Sequence, residues 1–223
     1  TPLHYAAKYG HLRVFEMIVE KFGEWRLKDI DDYTPLHEAA CNGHFEVCKF
    51  IVEMTNKYCS NGFILKYGVT PFQRAAEEGE LEVCKLLIDN AANKNPEIEN
   101  GRTLLHDLAR ESDFFVDACR LIIERIEDKL PRDGSDTPLH LAADAGNIEM
   151  CQMIVNSLSV KNPVIDADGT TLLHSLAHYN LVEPCRMVME RVDNKNPRNL
   201  IGYTPLHIAA ENGNFEVCSL IIA

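Results

Sequence analysis

Apolar residues recur along the chain in short clusters at helical spacing. One cluster is Phe45, Val47, Cys48, Ile51 and Val52. A second is Leu81, Val83, Cys84, Leu87 and Ile88, and a third is Phe215, Val217, Cys218, Ile221 and Ile222. Each set falls on one face of a helix with a 3.6-residue period. Ahead of each lies a second, shorter pattern: a threonine, a proline or leucine, a large apolar residue and a pair of small residues, as in Thr34, Pro35, Leu36, Ala39 and Ala40. Threonine caps the free amides at a helix start. Pro2, Pro35, Pro71, Pro138 and Pro205 then take the first helical position, where a missing N–H costs nothing. Gly10, Gly43, Gly79, Gly146 and Gly213 suit the left-handed residue that ends a helix, and Asn180 takes that place once. The pattern therefore predicts pairs of helices, the first short and the second longer, joined by a tight turn.

These pairs repeat. Thr-Pro-Leu-His stands at Thr1, Thr34, Thr137 and Thr204, with variants at Thr70, Thr103 and Thr171. The seven starts are separated by 33, 36, 33, 34, 34 and 33 residues. A helix pair of that size cannot bury its apolar face alone, but stacked neighbours bury a continuous core. The period, together with Thr-Pro-Leu-His-x-Ala, resembles the ankyrin repeat family over the whole chain. The resemblance implies an all-α solenoid of stacked helix-turn-helix units with connecting turns and loops, read here as one array over residues 1–223. It implies no catalytic role and no cofactor. The pattern is already running at Thr1 and still running at Ala223, and neither end reads as a polar cap. This gives the expectation of a longer array. Two departures stand out: two extra residues around Ser112 to Phe115, and a long second link, Thr55 to Val69, rich in aromatic and aliphatic residues.

Charge and cysteine usage narrow the partners. The 223 residues carry 34 acidic and 22 basic side chains, a net charge of −12. Such a surface repels nucleic acid and anionic membrane and suits a basic segment of a protein partner. No apolar run reaches the ~18 residues of a membrane span. Cys48, Cys84, Cys119, Cys151, Cys185 and Cys218 recur in register on the second helices. Neighbouring helices lie about 8–10 Å apart, beyond disulfide reach. These thiols read as small buried hydrophobes in a reducing, intracellular compartment, cytoplasmic or nuclear. Cys41 and Cys59 lie outside that column.

Chemistry is sparse. Six of nine histidines belong to the repeat motif, and in the family this histidine ties the helix start to the turn. His174 and His178 sit four apart, a spacing zinc can use, but no third ligand is apparent and no metal site is expected. No nucleophile elbow, P-loop or dinucleotide fingerprint is present, so neither an enzyme nor a small-molecule substrate is expected. Lys-Asn-Pro recurs at Lys94, Lys161 and Lys195. In many ankyrin proteins an asparagine at this junction is hydroxylated by an oxygen-dependent enzyme. Asn95 and Asn196 match that position, with Asn162 displaced by one residue.

The resemblance also implies where a partner binds: the concave face, made of turn tips and the exposed side of the first helix. Counted from each repeat's threonine, this surface includes Tyr9, Ile30, Tyr33 and Tyr67 near the amino terminus. Glu77, Glu78 and Asp144 lie centrally, and Tyr179, Leu200, Ile201 and Tyr203 near the carboxy terminus. The expected function is a protein-protein interaction module. The alternative is a structural spacer or targeting arm within a larger protein such as a channel or a signalling enzyme.

Overall fold

A computed structural model describes residues 1–58, 70–99, 101–110, 115–134 and 136–223. Among them run fourteen helices in seven pairs. The first helices are α1 (Pro2–Lys8), α3 (Pro35–Cys41), α5 (Pro71–Glu77), α7 (Leu104–Arg110), α9 (Pro138–Asp144), α11 (Leu172–His178) and α13 (Pro205–Glu211). The second helices are α2 (Leu12–Phe22), α4 (Phe45–Tyr58), α6 (Leu81–Asn90), α8 (Val116–Ile123), α10 (Ile148–Ser157), α12 (Val182–Met189) and α14 (Phe215–Ile222). The chain forms two compact units, one of Thr1–Leu108 with Phe114–Glu127, the other of Ala109–Asp113 with Asp128–Ala223.

In the first unit α1, α3 and α5 pack in one row and α2, α4, α6 and α8 in another. In the second, α11 packs on α13, and α10, α12 and α14 follow one another. The small pair lets the first helices approach: Ala39, Ala40, Ala75 and Ala76 are fully buried, with Leu36 and Phe72 beside them. The second helices add Val47, Cys48, Ile51 and Val52, then Val83, Cys84, Leu87 and Ile88. Leu81, Phe215 and Ile222 depart from the apolar pattern and are exposed. The first two open their helices, and Ile222 ends its own.

Four of the first helices, α3, α5, α9 and α11, start on a reciprocal lock between threonine and the residue three positions on. The Thr34 N–H donates to His37 Nδ1 at 2.9 Å, and Thr103, Thr137 and Thr171 do the same to His106, His140 and His174. In the third repeat Gln73 replaces the histidine. The Thr70 N–H donates to Gln73 Oε1 at 2.8 Å and Thr70 Oγ1 accepts from the Gln73 N–H at 3.1 Å. Because Nδ1 accepts, the ring proton sits on Nε2. From there it reaches the next repeat: His174 donates to the Tyr203 carbonyl at 3.1 Å, and His140 to Ser175 Oγ at 2.8 Å.

The one paired stretch of strand among the described residues lies in a link. β1 (Glu97–Glu99) runs antiparallel to β2 (Arg102–Thr103) around Gly101, whose φ is +84°. A single bridge, Val164 to Thr171, marks the matching place in the second unit. Both are short because the links are pinned to helix starts. The Leu104 N–H donates to the Pro96 carbonyl and the Leu172 N–H to the Pro163 carbonyl.

The turn between paired helices needs a left-handed residue, but its surroundings differ. Gly10 has φ +69°, and a Cβ there would lie 2.6 Å from His44 Nδ1. The same His44 ring sits 2.8 Å by Nε2 from the Lys8 carbonyl, across the repeat boundary. Gly213 has φ +71°, and a Cβ there would meet nothing within 4 Å. Gly213→Ala is expected to cost about 1–2 kcal/mol, the left-handed penalty alone. Gly10→Ala is expected to cost about 1 kcal/mol more, because His44 must abandon its bond. Urea unfolding followed by circular dichroism measures both. Equal losses would mean that His44 swings aside without cost.

Candidate partner-binding surface

The surface starts with the turns that lead into each first helix. In the first unit Asp29 organises residues 29–33. Its N–H donates to the Tyr33 carbonyl at 2.8 Å, and its Oδ1 accepts from the Asp31 and Tyr33 N–H groups, each at 2.9 Å. Asp32 takes the left-handed place, with φ +64°. The second unit repeats the design twice. Asp166 Oδ1 accepts from Asp168 and Thr170, and Asn199 Oδ1 from Tyr203. Gly169 and Gly202 supply the positive φ. A short side-chain acceptor at the first residue of the turn thus fixes the backbone and projects the next residue outward.

What is projected is apolar. Ile30 is 100% exposed, Leu200 80% and Ile201 69%. The Leu200 N–H is bonded to the Asp168 carbonyl at 2.9 Å and its side chain lies over Gly169, so adjoining turns support each other. The tyrosines behind them have structural contacts. Tyr33 packs on His37 with ring centroids 5.2 Å apart, and the Arg74 guanidinium lies 5.7 Å above its ring. Tyr203 packs on His207 at 5.7 Å.

The first helices supply the rest. Tyr9 is 59% exposed. Glu77, Glu78 and Asp144 point to solvent. Glu77 differs from the other two acids, since Arg74 pairs with it at 2.5 Å. Its charge is therefore largely neutralised within the chain. Arg74 also donates to Cys41 Sγ at 3.4 Å, joining Tyr33, Cys41 and Glu77 into one cluster that sequence spacing did not indicate. Tyr179 stands edge-on to both His140 and His178, at 5.1 and 4.9 Å. Of the residues placed on this surface by sequence, Tyr67 lies outside the described residues. The others are brought to the surface within their own units.

The remaining candidate chemistry is absorbed by structure. Burial pushes the thiols of Cys48, Cys84, Cys151 and Cys185 up to about 12 and raises that of Cys119 as well, so none is a nucleophile near neutral pH. The seven described cysteines are free; Cys59 lies outside the described residues. His174 is buried with both ring nitrogens engaged, by Thr171 and by the Tyr203 carbonyl, which removes it as half of a metal pair. No group of three potential metal ligands occurs among the described residues. The Lys-Asn-Pro asparagines are pins: the side-chain oxygens of Asn95, Asn162 and Asn196 accept from the N–H groups of Leu105, Leu173 and Leu206 at 2.8, 3.0 and 3.0 Å. Asn162 performs the same task despite its displacement, because the link at Leu173 is one residue longer.

A family model described as ankyrin repeats (3 copies) matches residues 3–98, 72–163 and 154–223. The chain belongs to the ankyrin repeat family. Two solved ankyrin repeat domains resemble it in fold. One is that of Bcl-3, described as a unique member of the IkappaB protein family, at 23% identity with a TM-score of 0.69 over 100% of this chain and 98% of that one. The other is that of human ASB11, at 23% identity with a TM-score of 0.60 over 99% and 97%. The NAD-dependent deacetylase sir2B of Dictyostelium discoideum is 25% identical over 131 residues, 54% of this chain but 17% of that protein. The chain thus spans a small part of that relative's length. No described helix is long and apolar enough to cross a membrane. Ankyrin repeats generally serve as protein-protein interaction modules, a role that matches a surface built of rigid turns and short helices.

Proposed function

We propose that the chain is a protein-recognition module that binds a protein or peptide partner on the concave face of its repeats, without catalysis of its own. One observation carries this reading. Ile30 is wholly exposed at the tip of a turn that Asp29 holds with three hydrogen bonds. Folding gains nothing from exposing that side chain, and a fixed turn loses little entropy when a partner covers it. Tyr9 is a further exposed apolar side chain of the same unit, and Glu78 adds a charge with no ion pair among the described residues. A partner with a basic segment suits this surface and the chain's net charge of −12. The buried thiol column supports an intracellular, reducing setting.

The test is affinity capture with the wild-type chain beside a Tyr9→Ala, Ile30→Ser, Glu78→Lys triple variant of equal helicity. Loss of two apolar anchors and reversal of one charge is expected to weaken the captured partner at least about tenfold and to flatten its salt dependence. Equal capture by both would move the weight to a spacer or targeting arm. Hydroxylation at Asn95 and Asn196 is a separate proposal. Both side chains are half-buried pins, so the modification requires the link to open, and mass spectrometry after incubation with an asparaginyl hydroxylase is expected to find one added oxygen on each. Unmodified asparagines would end that reading.

A further inference from the structure

The second unit carries its own version of the exposed turn, with a different balance of residues. Leu200 and Ile201 stand side by side at the tip of residues 199–203, both largely exposed. The Leu200 amide and side chain rest on the preceding turn at Asp168 and Gly169. Asn199 closes its own turn from both directions: its N–H donates to the Tyr203 carbonyl at 2.8 Å and its Oδ1 accepts from the Tyr203 N–H at 2.9 Å. Arg198 adds a third tie, donating to the Gly202 carbonyl at 2.9 Å. The aliphatic pair is therefore held by a turn tied at several points, and its exposure is not slack in the fold.

Beneath this ledge the carboxylates are those of Asp166 and Asp168, in the turn on which Leu200 rests, and neither forms an ion pair among the described residues. The nearby guanidinium groups are engaged with backbone, Arg198 on the Gly202 carbonyl and Arg132 on the Ile165 carbonyl. Asp168 is exposed, and its backbone carbonyl, not its carboxylate, is what holds Leu200. An anionic lipid surface is repelled by such a rim. A neutral apolar segment would cover the aspartates without replacing their water. A segment with lysine or arginine beside its apolar residue avoids that loss and gains the charge attraction.

We infer that the Leu200–Ile201 ledge of the second unit docks a short protein segment in which a bulky apolar side chain is flanked by lysine or arginine. The apolar side chain packs on Leu200 and Ile201, and the basic neighbour reaches the Asp166 and Asp168 carboxylates. This rests on the protein-recognition reading above and names the kind of segment that one part of the surface takes.

The test uses the whole chain against a display library of short random peptides, with four forms in parallel: wild type, Leu200→Ser with Ile201→Ser, Asp168→Lys, and the triple variant at Tyr9, Ile30 and Glu78. All the altered side chains project from turns or helix ends, and circular dichroism checks that helicity is kept. Wild type is expected to enrich peptides pairing a bulky apolar residue with lysine or arginine. The serine variant is expected to lose that enrichment at least about tenfold, and Asp168→Lys to lose the basic preference while keeping the apolar one. Enrichment unchanged by the serine variant, a pool without the apolar–basic pairing, or no enrichment at all overturns the inference. So does wild-type binding to phosphatidylserine vesicles that the serine variant loses. Selection abolished by the triple variant and untouched by the serine one leaves protein recognition standing and removes this ledge from it.

Discussion

Replacing His140 with glutamine is expected to remove a large share of the acid sensitivity of the second unit, while His174, its pKa also lowered by burial, keeps a part. His140 is buried. Its Nδ1 accepts from the Thr137 N–H and its Nε2 donates to Ser175 Oγ, so the neutral ring is the form the fold requires. Burial pushes its pKa down from 6.5 to about 4, with Arg132 working in the same direction and Asp136 and Asp133 opposing. Between those two values the unfolded chain takes up a proton that the folded chain refuses. Stability therefore falls as pH drops from 6.5 towards 4 and levels off below, where the folded state is protonated as well. The depression corresponds to about 3 kcal/mol at about 1.4 kcal/mol per unit. Gln73 shows how the substitution keeps the lock, since its amide oxygen accepts from the Thr70 N–H in the same position of the third repeat. His140→Gln should thus cost about 1 kcal/mol or less at neutral pH, the net worth of one altered hydrogen bond. Wild type should lose about 2–3 kcal/mol more than the variant on acidification. Hydrogen exchange over residues 137–157, with urea unfolding at stepped pH, reads the difference. Parallel pH curves for the two chains would show that His140 is not the group refusing the proton.

That pair also marks the boundary of what the amino-acid pattern could disclose. The repeat phase, the proline-first helices, the left-handed glycines with Asn180, and the buried thiol column, except for Cys218, which is half-buried in the last helix, were legible. Each is decided within a few residues and then recurs along the chain. The contacts that give the surface its character are decided between repeats. Ser175 meets His140 from 35 residues away. Arg74 draws Tyr33, Cys41 and Glu77 together across one repeat boundary, which sets Glu77, paired, apart from its neighbour Glu78. Asn162 is out of register by one residue in the sequence, and its link is longer by the same single residue. Leu81, Phe215 and Ile222 satisfy the helical period yet face solvent, because periodicity locates a helix face but not what covers it. The turn tips lie between these cases. Counting back from each threonine reaches the turns that carry Ile30 and Leu200, both exposed, whereas the Asp29, Asp166 and Asn199 bonds that make those tips rigid need the backbone.

Phe72→Ala is expected to be the most damaging single substitution in the first unit. Six repeats carry leucine two residues after the threonine, at Leu3, Leu36, Leu105, Leu139, Leu173 and Leu206, and the third carries phenylalanine. The larger ring is accommodated without exposure: Phe72 is 0% accessible, among Leu36, Ala75 and Cys84, which are buried as well. Its own carbonyl lies 3.8 Å from Cys84 Sγ, so the helix pair closes tightly around it. Truncation to alanine removes the ring from a space bounded by helices α3 and α6, which cannot both move in without disturbing their other neighbours. The loss is expected at about 3–5 kcal/mol, a third or more of the stability of many domains. Phe72→Leu, which restores the residue used elsewhere, should cost roughly 1–2 kcal/mol, since part of the space stays filled. Trp25, the single tryptophan, lies in the same unit and reports its unfolding by fluorescence. Repeats interact mainly with their neighbours, so a shift of the Trp25 transition requires the loss at α5 to pass through α3 to the first repeat. A large fall in its urea midpoint for Phe72→Ala, and a small one for Phe72→Leu, would show that the first three repeats unfold together. An unmoved Trp25 transition beside a lowered helical one would confine the damage to the third repeat, and a total loss under about 1 kcal/mol would mean that the helices had closed over the space after all.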